Sequence, residues 1–212
     1  MPQPSDESAP TLWRPGFLRR PTAFDAKRRA IEAVEAAVRA ATEARTAGGK
    51  VVVVQAQTAS GKSSLIPPMV WQKFAMERRG GPGVICTQPR RLTAIRIAQD
   101  VGSYRTSGVE LGVSLGWLTK VSARVPKLPT SLIYATVGSA NSAFRGGGAH
   151  GTSQPEEPFQ AFAQRWSYVI IDEAHERSLD MDLFLLRLKR GLREYADEPW
   201  CPVVIIMSAT ID

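Results

Sequence analysis

The chain has 212 residues and 43% of them are hydrophobic, so it is long enough to form one large domain with a full apolar core. Its formal net charge of +7, most of it due to arginine, favours an anionic partner such as nucleic acid, although a generally arginine-rich composition would give the same charge. No apolar segment approaches transmembrane length, and residues 1–20 lack the hydrophobic stretch of a secretory signal. We therefore expect an intracellular protein, cytoplasmic or nuclear, without a membrane partner.

The N-terminal segment, residues 1–21, contains five prolines and no hydrophobic periodicity. This composition predicts a disordered or loosely docked arm and leaves residues 22–212 as the folded domain. Apolar side chains then recur at helical spacing over residues 25–44, which predicts an amphipathic helix.

Apolar runs and helical patterns alternate along the rest of the chain. Six apolar runs predict strands, at residues 51–55, 84–87, 112–118, 131–135, 168–171 and 203–207. Helical patterns predict helices at residues 62–78, 92–104 and 179–195, the first of them interrupted by Pro67 and Pro68. Continuous apolar strands that alternate with helices are typical of a mostly parallel sheet with helices on both faces, so the predicted fold class is α/β. Residues 146–158, rich in Gly, Pro and Glu, predict an exposed loop insertion.

The two cysteines, Cys86 and Cys201, are far apart, and each lies beside an apolar run. Their spacing is not that of a metal site, so we predict that both are reduced and structural.

A predicted strand, a short loop and a helix start follow one another over residues 51–64. The loop and the helix start consist of Gln57, Thr58, Ala59, Ser60, Gly61, Lys62, Ser63 and Ser64. In such a segment backbone N–H groups and the N-terminal end of the helix surround a phosphate group. The lysine adds a point charge at the β- and γ-phosphates, and the hydroxyl of the next residue ligates Mg²⁺. We therefore predict a site for nucleotide phosphates and Mg²⁺, in which Lys62 binds phosphate and Ser63 binds the metal ion.

The match to the phosphate-loop pattern is imperfect, because Ala56 and Ala59 stand where glycines are common. Both residues restrict the backbone, and we expect them to lower the affinity for nucleotide rather than abolish it. An ordinary loop that happens to contain Gly-Lys-Ser is the alternative that this segment alone leaves open.

Two adjacent carboxylates, Asp172 and Glu173, follow the apolar run at residues 168–171. A buried strand that ends in carboxylates places them at the carboxyl end of the sheet, where open α/β folds bind ligands. There Asp172 can hold Mg²⁺, and Glu173 can act as the general base towards an attacking water. The alternative is a surface acidic cluster that caps the next helix. That alternative does not explain why a phosphate loop, an acidic strand end and Ser208-Ala209-Thr210 occur in this order.

Five motifs in this order make the chain resemble the DEAH-box branch of superfamily 2 helicases. The resembling residues are 56–64 (motif I), Thr87-Gln88-Pro89-Arg90-Arg91 (motif Ia), Thr136-Val137-Gly138 (motif Ib), Asp172-Glu173-Ala174-His175-Glu176-Arg177 (motif II) and Ser208-Ala209-Thr210 (motif III). The resemblance extends from about residue 24 to residue 212 and does not cover residues 1–21. It implies the first RecA-like P-loop NTPase domain of a helicase, with ATP and Mg²⁺ as cofactors.

The resemblance also implies roles for residues near the phosphate loop. His175 would join Asp172 and Glu173 as a catalytic residue and would relay the nucleotide state towards motif III. There Ser208 and Thr210 would couple hydrolysis to movement of the strand.

A nucleic-acid path is implied in the same way. Arg90, Arg91 and Thr136 would contact the nucleic-acid backbone, so the expected partner is RNA, bound with little sequence preference and more weakly as salt rises. The position of the family's base-stacking arginine holds Asp100, with Arg96 one turn earlier, so we expect base stacking to be weak or differently arranged. Lys120, Arg124 and Lys127 are scattered basic residues to which the sequence assigns no role.

The helicases that the chain resembles close a second RecA-like domain over the nucleotide, and that domain supplies arginine fingers and the other half of the RNA groove. The chain ends two residues after motif III, so we expect this domain to be absent and to be supplied by a longer protein or by a partner. An arginine finger contributes a factor of roughly 10³–10⁵ to the rate of hydrolysis. We therefore expect the chain alone to bind ATP and Mg²⁺, to hydrolyse ATP slowly and not to unwind duplexes.

Other function classes are alternatives. A degenerate, non-catalytic RNA-binding or regulatory module is favoured by Ala56 and Ala59, whereas the intact Lys62, Asp172 and Glu173 argue against it. A P-loop nucleotide kinase or a transporter ATPase would need neither motif Ia nor motif III. A dinucleotide-binding oxidoreductase would need a glycine-rich G-x-G-x-x-G segment after a strand, and no predicted strand is followed by one.

Overall fold

The computed structural model describes residues 23–57, 60–77, 82–104, 108–144 and 158–210. The helices are α1 (Ala23–Glu43), α2 (Lys62–Val70), α3 (Arg91–Ser103), α4 (Val137–Ala143), α5 (Pro158–Arg165) and α6 (Leu179–Tyr195), and a π-helical turn, Trp71–Ala75, follows α2. The predicted arm at residues 1–21 and all of the predicted loop except Pro158 lie outside the described residues. None of the helices in the described ranges is long and apolar enough to cross a membrane.

Within these described ranges, seven strands form one sheet. They are β1 (Val51–Gln55), β2 (Gly83–Gln88), β3 (Leu115–Leu118), β4 (Ala123–Arg124), β5 (Leu132–Thr136), β6 (Trp166–Ile171) and β7 (Val203–Ser208). The strand order is β1-β7-β6-β2-β5-β3-β4, and every neighbouring pair is parallel except β3 and β4. The predicted mostly parallel sheet is therefore confirmed. Because the long strands run in one direction, the loops that follow β1, β2, β5, β6 and β7 all lie at the carboxyl end of the sheet.

Helices cover both faces of the sheet and enclose two apolar cores. Successive residues of a strand point to opposite faces. In β6, Tyr168 and Ile170 pack towards α1, α2 and α3, whereas Val169 and Ile171 pack towards α4, α5 and α6. Every residue of β2 and β6 is buried, which explains why these strands have apolar runs without a polar alternation.

The prolines of α2 contradict the prediction that they interrupt the helix, because Pro67 and Pro68 lie inside it. A proline has no N–H, so Pro67 leaves the carbonyl oxygen of Ser63 without its helical donor. The hydroxyl of the buried Tyr134 donates to that oxygen at 2.8 Å. Tyr134 lies on β5, 71 residues away, so the local sequence pattern carries no sign of this compensation.

The strand predicted over residues 112–118 is also wrong in its first half, since β3 begins at Leu115. Gly112 has φ +84°, its N–H donates to the Leu115 carbonyl at 2.7 Å, and the next three N–H groups donate to the Glu110 carbonyl. These bonds make a tight turn that leads into the strand. No prediction covered β4, α4 or α5, and Pro158, expected in an exposed loop, begins α5.

The cysteine prediction agrees with the structure, in which Cys86 and Cys201 are free and buried. Burial raises the pKa of the Cys86 thiol well above its usual range and that of Cys201 to about 11. Neither thiol therefore forms a reactive thiolate at neutral pH.

Candidate functional site

The phosphate-loop segment lies at the carboxyl end of β1. The N–H of Ala56 donates to the Ser208 carbonyl at 3.1 Å and continues the pairing of β1 with β7, whereas the N–H of Ser60 donates to the Gln57 carbonyl at 3.2 Å within the loop. Gly61 has φ +84°, a left-handed conformation that favours glycine, and α2 begins at the next residue. Thr58 and Ala59 lie outside the described residues, so the structure does not describe the middle of this loop.

Lys62 and Glu173 form an ion pair at the start of α2. The Lys62 ammonium donates to Glu173 Oε1 at 2.9 Å, and its side chain is only 4% exposed. Glu173 has φ +51°, an uncommon value for a residue with a side chain, in the turn that follows β6. Its other oxygen, Oε2, is buried, lies 3.3 Å from His175 Nδ1 and receives no hydrogen bond within the part of the chain that the structure describes. The predicted phosphate-binding lysine and the predicted general base are therefore in direct contact.

The Asp172 carboxylate is fully buried and held on both oxygens. Oδ1 accepts from the Glu173 N–H at 2.9 Å, and Oδ2 accepts from the Gln88 side-chain amide at 2.8 Å. Burial raises the pKa of Asp172, and hydrogen bonds from the Ser63 hydroxyl and from Gln88 partly oppose this rise. Ser63 and Asp172, the two predicted metal ligands, are thus neighbours.

This donor set fits Mg²⁺ bound together with a nucleotide. Among the described residues no group of three or more His, Cys, Asp or Glu side chains could hold a metal ion. A hydroxyl from Ser63 and a carboxylate from Asp172 are oxygen ligands of the kind that Mg²⁺ prefers, and Mg²⁺ usually takes its other ligands from phosphates and water.

His175 and Ser208 connect the acidic turn to β7. The N–H of Ala174 donates to the Met207 carbonyl at 3.1 Å, and His175 Nδ1 lies 3.3 Å from the Ser208 hydroxyl oxygen. That hydroxyl donates its proton to the Thr210 carbonyl, so His175 Nδ1–H is the donor in the other contact. The structure therefore brings the predicted relay histidine into contact with Ser208, and Ser208 in turn contacts the backbone of Thr210.

A cavity of about 220 Å³ extends from the phosphate loop towards α3. Residues 61–64 and Glu173 line one end, and Ile97, Asp100 and Tyr104 line the other. Tyr104 is 55% exposed and offers an aromatic surface. The sequence pointed to Asp100 but not to Ile97, which lies one turn earlier on the same face of α3, or to Tyr104, which directly follows the last residue of this helix.

A second cavity, of about 370 Å³, lies beside the ends of β2 and β5. Arg90, Lys120 and Thr136 are among its lining residues, whereas Arg91 is not. Arg90 forms an exposed ion pair with Glu176 at 3.7 Å. Lys120, to which the sequence assigned no role, reaches this cavity because it lies in the turn between β3 and β4, and no local pattern could have shown this.

Comparison with known proteins identifies the family. The sequence pattern of the DEAD/DEAH box helicases matches residues 35–212. The chain belongs to the DEAD/DEAH box helicase family.

This helicase domain is similar to parts of longer proteins. It is 35% identical over 175 residues to the Putative RNA Helicase B962L of African swine fever virus (isolate Tick/South Africa/Pretoriuskop Pr4/1996), an alignment that covers 77% of the chain and 17% of that protein. It is 27% identical over 164 residues to the human ATP-dependent DNA/RNA helicase DHX36, covering 77% of the chain and 15% of that protein. The chain therefore spans less than a fifth of the length of either relative.

A solved structure confirms the fold of the helicase domain. The crystal structure of the E. coli DExH-box NTPase HrpB matches with a TM-score of 0.62 and 24% sequence identity, over 86% of this chain and 19% of that chain. The predicted RecA-like P-loop NTPase fold is thereby confirmed, whereas the roles of the individual site residues remain predictions.

Proposed function

We propose that this helicase domain is the ATP-binding lobe of an ATP-dependent DEAH-type RNA helicase. It binds ATP with Mg²⁺, contacts the nucleic-acid backbone, and hydrolyses ATP when a second RecA-like lobe closes over the nucleotide. The observation that carries the proposal is the ion pair between Lys62 and Glu173 beside the Ser63 and Asp172 pair.

The proposed mechanism begins with an exchange of partners at Lys62. The γ-phosphate replaces Glu173 as the partner of the Lys62 ammonium, because a buried ammonium binds the more highly charged group. Glu173 is then free to orient a water molecule and to accept its proton. Asp172 and Ser63 would hold Mg²⁺, which would supply positive charge to neutralise the phosphates. His175 passes the change at Glu173 to Ser208 on β7.

A second lobe is part of the proposal because of the charge that hydrolysis creates. In this proposal the nucleotide binds in the cavity of about 220 Å³ beside the phosphate loop. Among the described residues that line this cavity, Lys62 is the only cation. Further positive charge at the γ-phosphate would come from arginine residues of the second lobe, in the same protein or in a partner. The greater length of the viral and human relatives is consistent with such a lobe.

The RNA-binding part of the proposal rests on the second cavity. Arg90, Lys120 and Thr136 supply charges and a hydroxyl, which suit phosphate groups and carry no information on base sequence. RNA is proposed as the substrate over DNA because the African swine fever virus relative carries the name RNA helicase.

The decisive experiment is a titration with a fluorescent, non-hydrolysable ATP analogue in Mg²⁺, using wild type and Lys62→Ala. We expect the substitution to weaken binding by about 100-fold or more, because it removes the charge that neutralises the phosphates. Lys73→Ala is the matched control, since Lys73 lies on the π-helical turn and pairs with Glu35 at the surface. Equal affinity in wild type and Lys62→Ala would favour the degenerate, non-catalytic module instead.

A further inference from the structure

Gln88 is a buried side chain that contacts Asp172 and directly precedes Pro89, a lining residue of the second cavity. It is the last residue of β2, it is 1% exposed, and its amide nitrogen lies 2.8 Å from Asp172 Oδ2. A carboxylate can only accept hydrogen bonds when ionised, so the NH₂ group must be the part of the amide that faces Asp172. The Gln88 carbonyl oxygen, Oε1, is buried without a hydrogen-bond partner among the described residues. The NH₂ group also donates to the Cys86 sulfur at 3.7 Å, so its bonds to Asp172 and Cys86 together set the orientation of this amide.

Hydrogen bonds from Glu173, Gln88 and Ser63 together fix the plane of the Asp172 carboxylate. The Glu173 N–H holds Oδ1 from the turn, and Gln88 holds Oδ2 from the neighbouring strand. The N–H of Asp172 in turn donates to the Thr87 carbonyl at 3.2 Å, so the end of β2 supports both the backbone and the side chain of Asp172. A carboxylate held in this way presents its remaining lone pairs in one direction.

The backbone of Gln88 belongs to the proposed nucleic-acid path. Gln88 pairs with Thr136 in the β2–β5 ladder, and Pro89 and Arg90 follow it directly. Pro89, Arg90 and Thr136 line the second cavity. A shift of the strand end on RNA binding would move the Gln88 amide, and with it the Asp172 carboxylate.

We propose that Gln88 is a positioning residue that orients Asp172 for Mg²⁺ and couples nucleic-acid binding at Arg90 and Thr136 to the metal site. This inference rests on the proposed function and deepens it. It assigns a role to a residue to which neither the sequence motifs nor the comparisons assign one. Partners that hold a metal ligand commonly contribute 10-fold to 100-fold in metal affinity.

The test measures metal dependence rather than hydrolysis. Binding of the fluorescent ATP analogue is titrated with Mg²⁺ for wild type, Gln88→Met and Gln88→Asn. Methionine has a similar shape without the donor, and asparagine keeps the amide but is too short to reach Asp172. We expect both variants to need about 10-fold more Mg²⁺ for half-maximal binding, with unchanged affinity for the analogue in EDTA. Gln55→Met is the matched control, because Gln55 ends β1 at the same end of the sheet with an exposed side chain.

The coupling is tested by repeating the titrations with saturating single-stranded polyuridine. In wild type we expect the polymer to lower the Mg²⁺ requirement by at least about fivefold, and by reciprocity Mg²⁺ with nucleotide should tighten polymer binding equally. In Gln88→Met this shift should disappear. An unchanged Mg²⁺ requirement in both variants, or a polymer effect that is absent in wild type or survives in Gln88→Met, would overturn the inference. If wild type shows no Mg²⁺-dependent nucleotide binding at all, the proposed function fails first and this inference fails with it.

Discussion

The ion pair between Lys62 and Glu173 leads to an unusual expectation, namely that removing the proposed catalytic base tightens nucleotide binding. Glu173 Oε1 accepts a hydrogen bond from the Lys62 ammonium at 2.9 Å, and only 4% of the lysine side chain and 20% of the glutamate side chain are exposed. Nucleotide must break this pair before Lys62 can bind phosphate. Glu173→Gln keeps the shape and one acceptor oxygen but removes the negative charge.

The magnitude follows from the geometry of this pair. A hydrogen bond to a charged group contributes about 1.5–3 kcal/mol, roughly twice a neutral one, and little solvent screens this pair. The substitution therefore removes about 1 kcal/mol of stability from the nucleotide-free domain. We expect the melting temperature to fall by about 2–4 °C, as is typical for a chain of this size. The affinity for the ATP analogue should rise about fivefold, since the pair that nucleotide must break is weaker by that amount.

Two measurements check this expectation: thermal unfolding without nucleotide, and equilibrium titration with the non-hydrolysable analogue. In a Lys62→Ala background, Glu173→Gln should change neither the melting temperature nor the affinity for the analogue, because no ion pair remains for it to weaken. Glu32→Gln is the matched control, as its pair with Arg28 is exposed and contributes little. Unchanged affinity and unchanged melting temperature in Glu173→Gln would refute the idea that this pair competes with nucleotide.

Three further predictions concern packing, charge and RNA. Gly191→Ala should lower the free energy of unfolding by about 1–3 kcal/mol, and with it the melting temperature, because a Cβ there would lie 2.1 Å from a Phe159 ring carbon. Gly48→Ala is the control and should have little effect, since nothing lies within 4 Å of a Cβ at that position. Burial raises the pKa of Asp172, so the stability that its protonated form contributes is present at low pH and is lost as pH rises through the folded-state pKa. Asp172→Asn should thus melt at the same or a higher temperature than wild type at neutral pH, and it should lose this advantage in acid. It should also bind nucleotide without any dependence on Mg²⁺. A lower melting temperature than wild type at neutral pH would contradict the argument. Arg90→Ala and Lys120→Ala should each weaken polyuridine binding. Each should also reduce, by about 0.7, the slope of the logarithm of the binding constant against the logarithm of the salt concentration. A residue whose removal leaves this slope unchanged makes no contact with the nucleic-acid backbone.

The long elements of the fold were predictable because their sequence patterns are local. The run at residues 51–55 became β1 with the same bounds, and the helical pattern at residues 179–195 became α6. Ser178 accepts a hydrogen bond from the Met181 N–H and caps α6, so the acidic turn at Asp172 is not the cap of this helix. The exposed-loop prediction failed at Pro158 because α5 has only eight residues and depends on the tertiary packing of its buried Phe159 and Phe162, which the local pattern does not show.

The candidate site was predictable as a set of residues but not as a set of contacts. Lys62, Asp172 and Glu173 were named from the loops that follow buried strands, and parallel strands bring such loops to the same end of a sheet. The contribution of Gln88 was not visible, because Gln88 stands among motif residues that were expected to contact RNA. Its bond to Asp172 depends on β2 and β6 being neighbours, which strand order decides.

By itself the sequence determined the alternation of strands and helices, the phosphate loop, the acidic turn after β6 and the family. Each of these depends on short stretches of neighbouring residues. Only the tertiary structure decided which of these groups meet. Lys62 and Glu173 are 111 residues apart, and Gln88 and Asp172 are 84 residues apart. Contacts over such separations follow from strand order, register and burial, which the whole chain settles together when its core is packed.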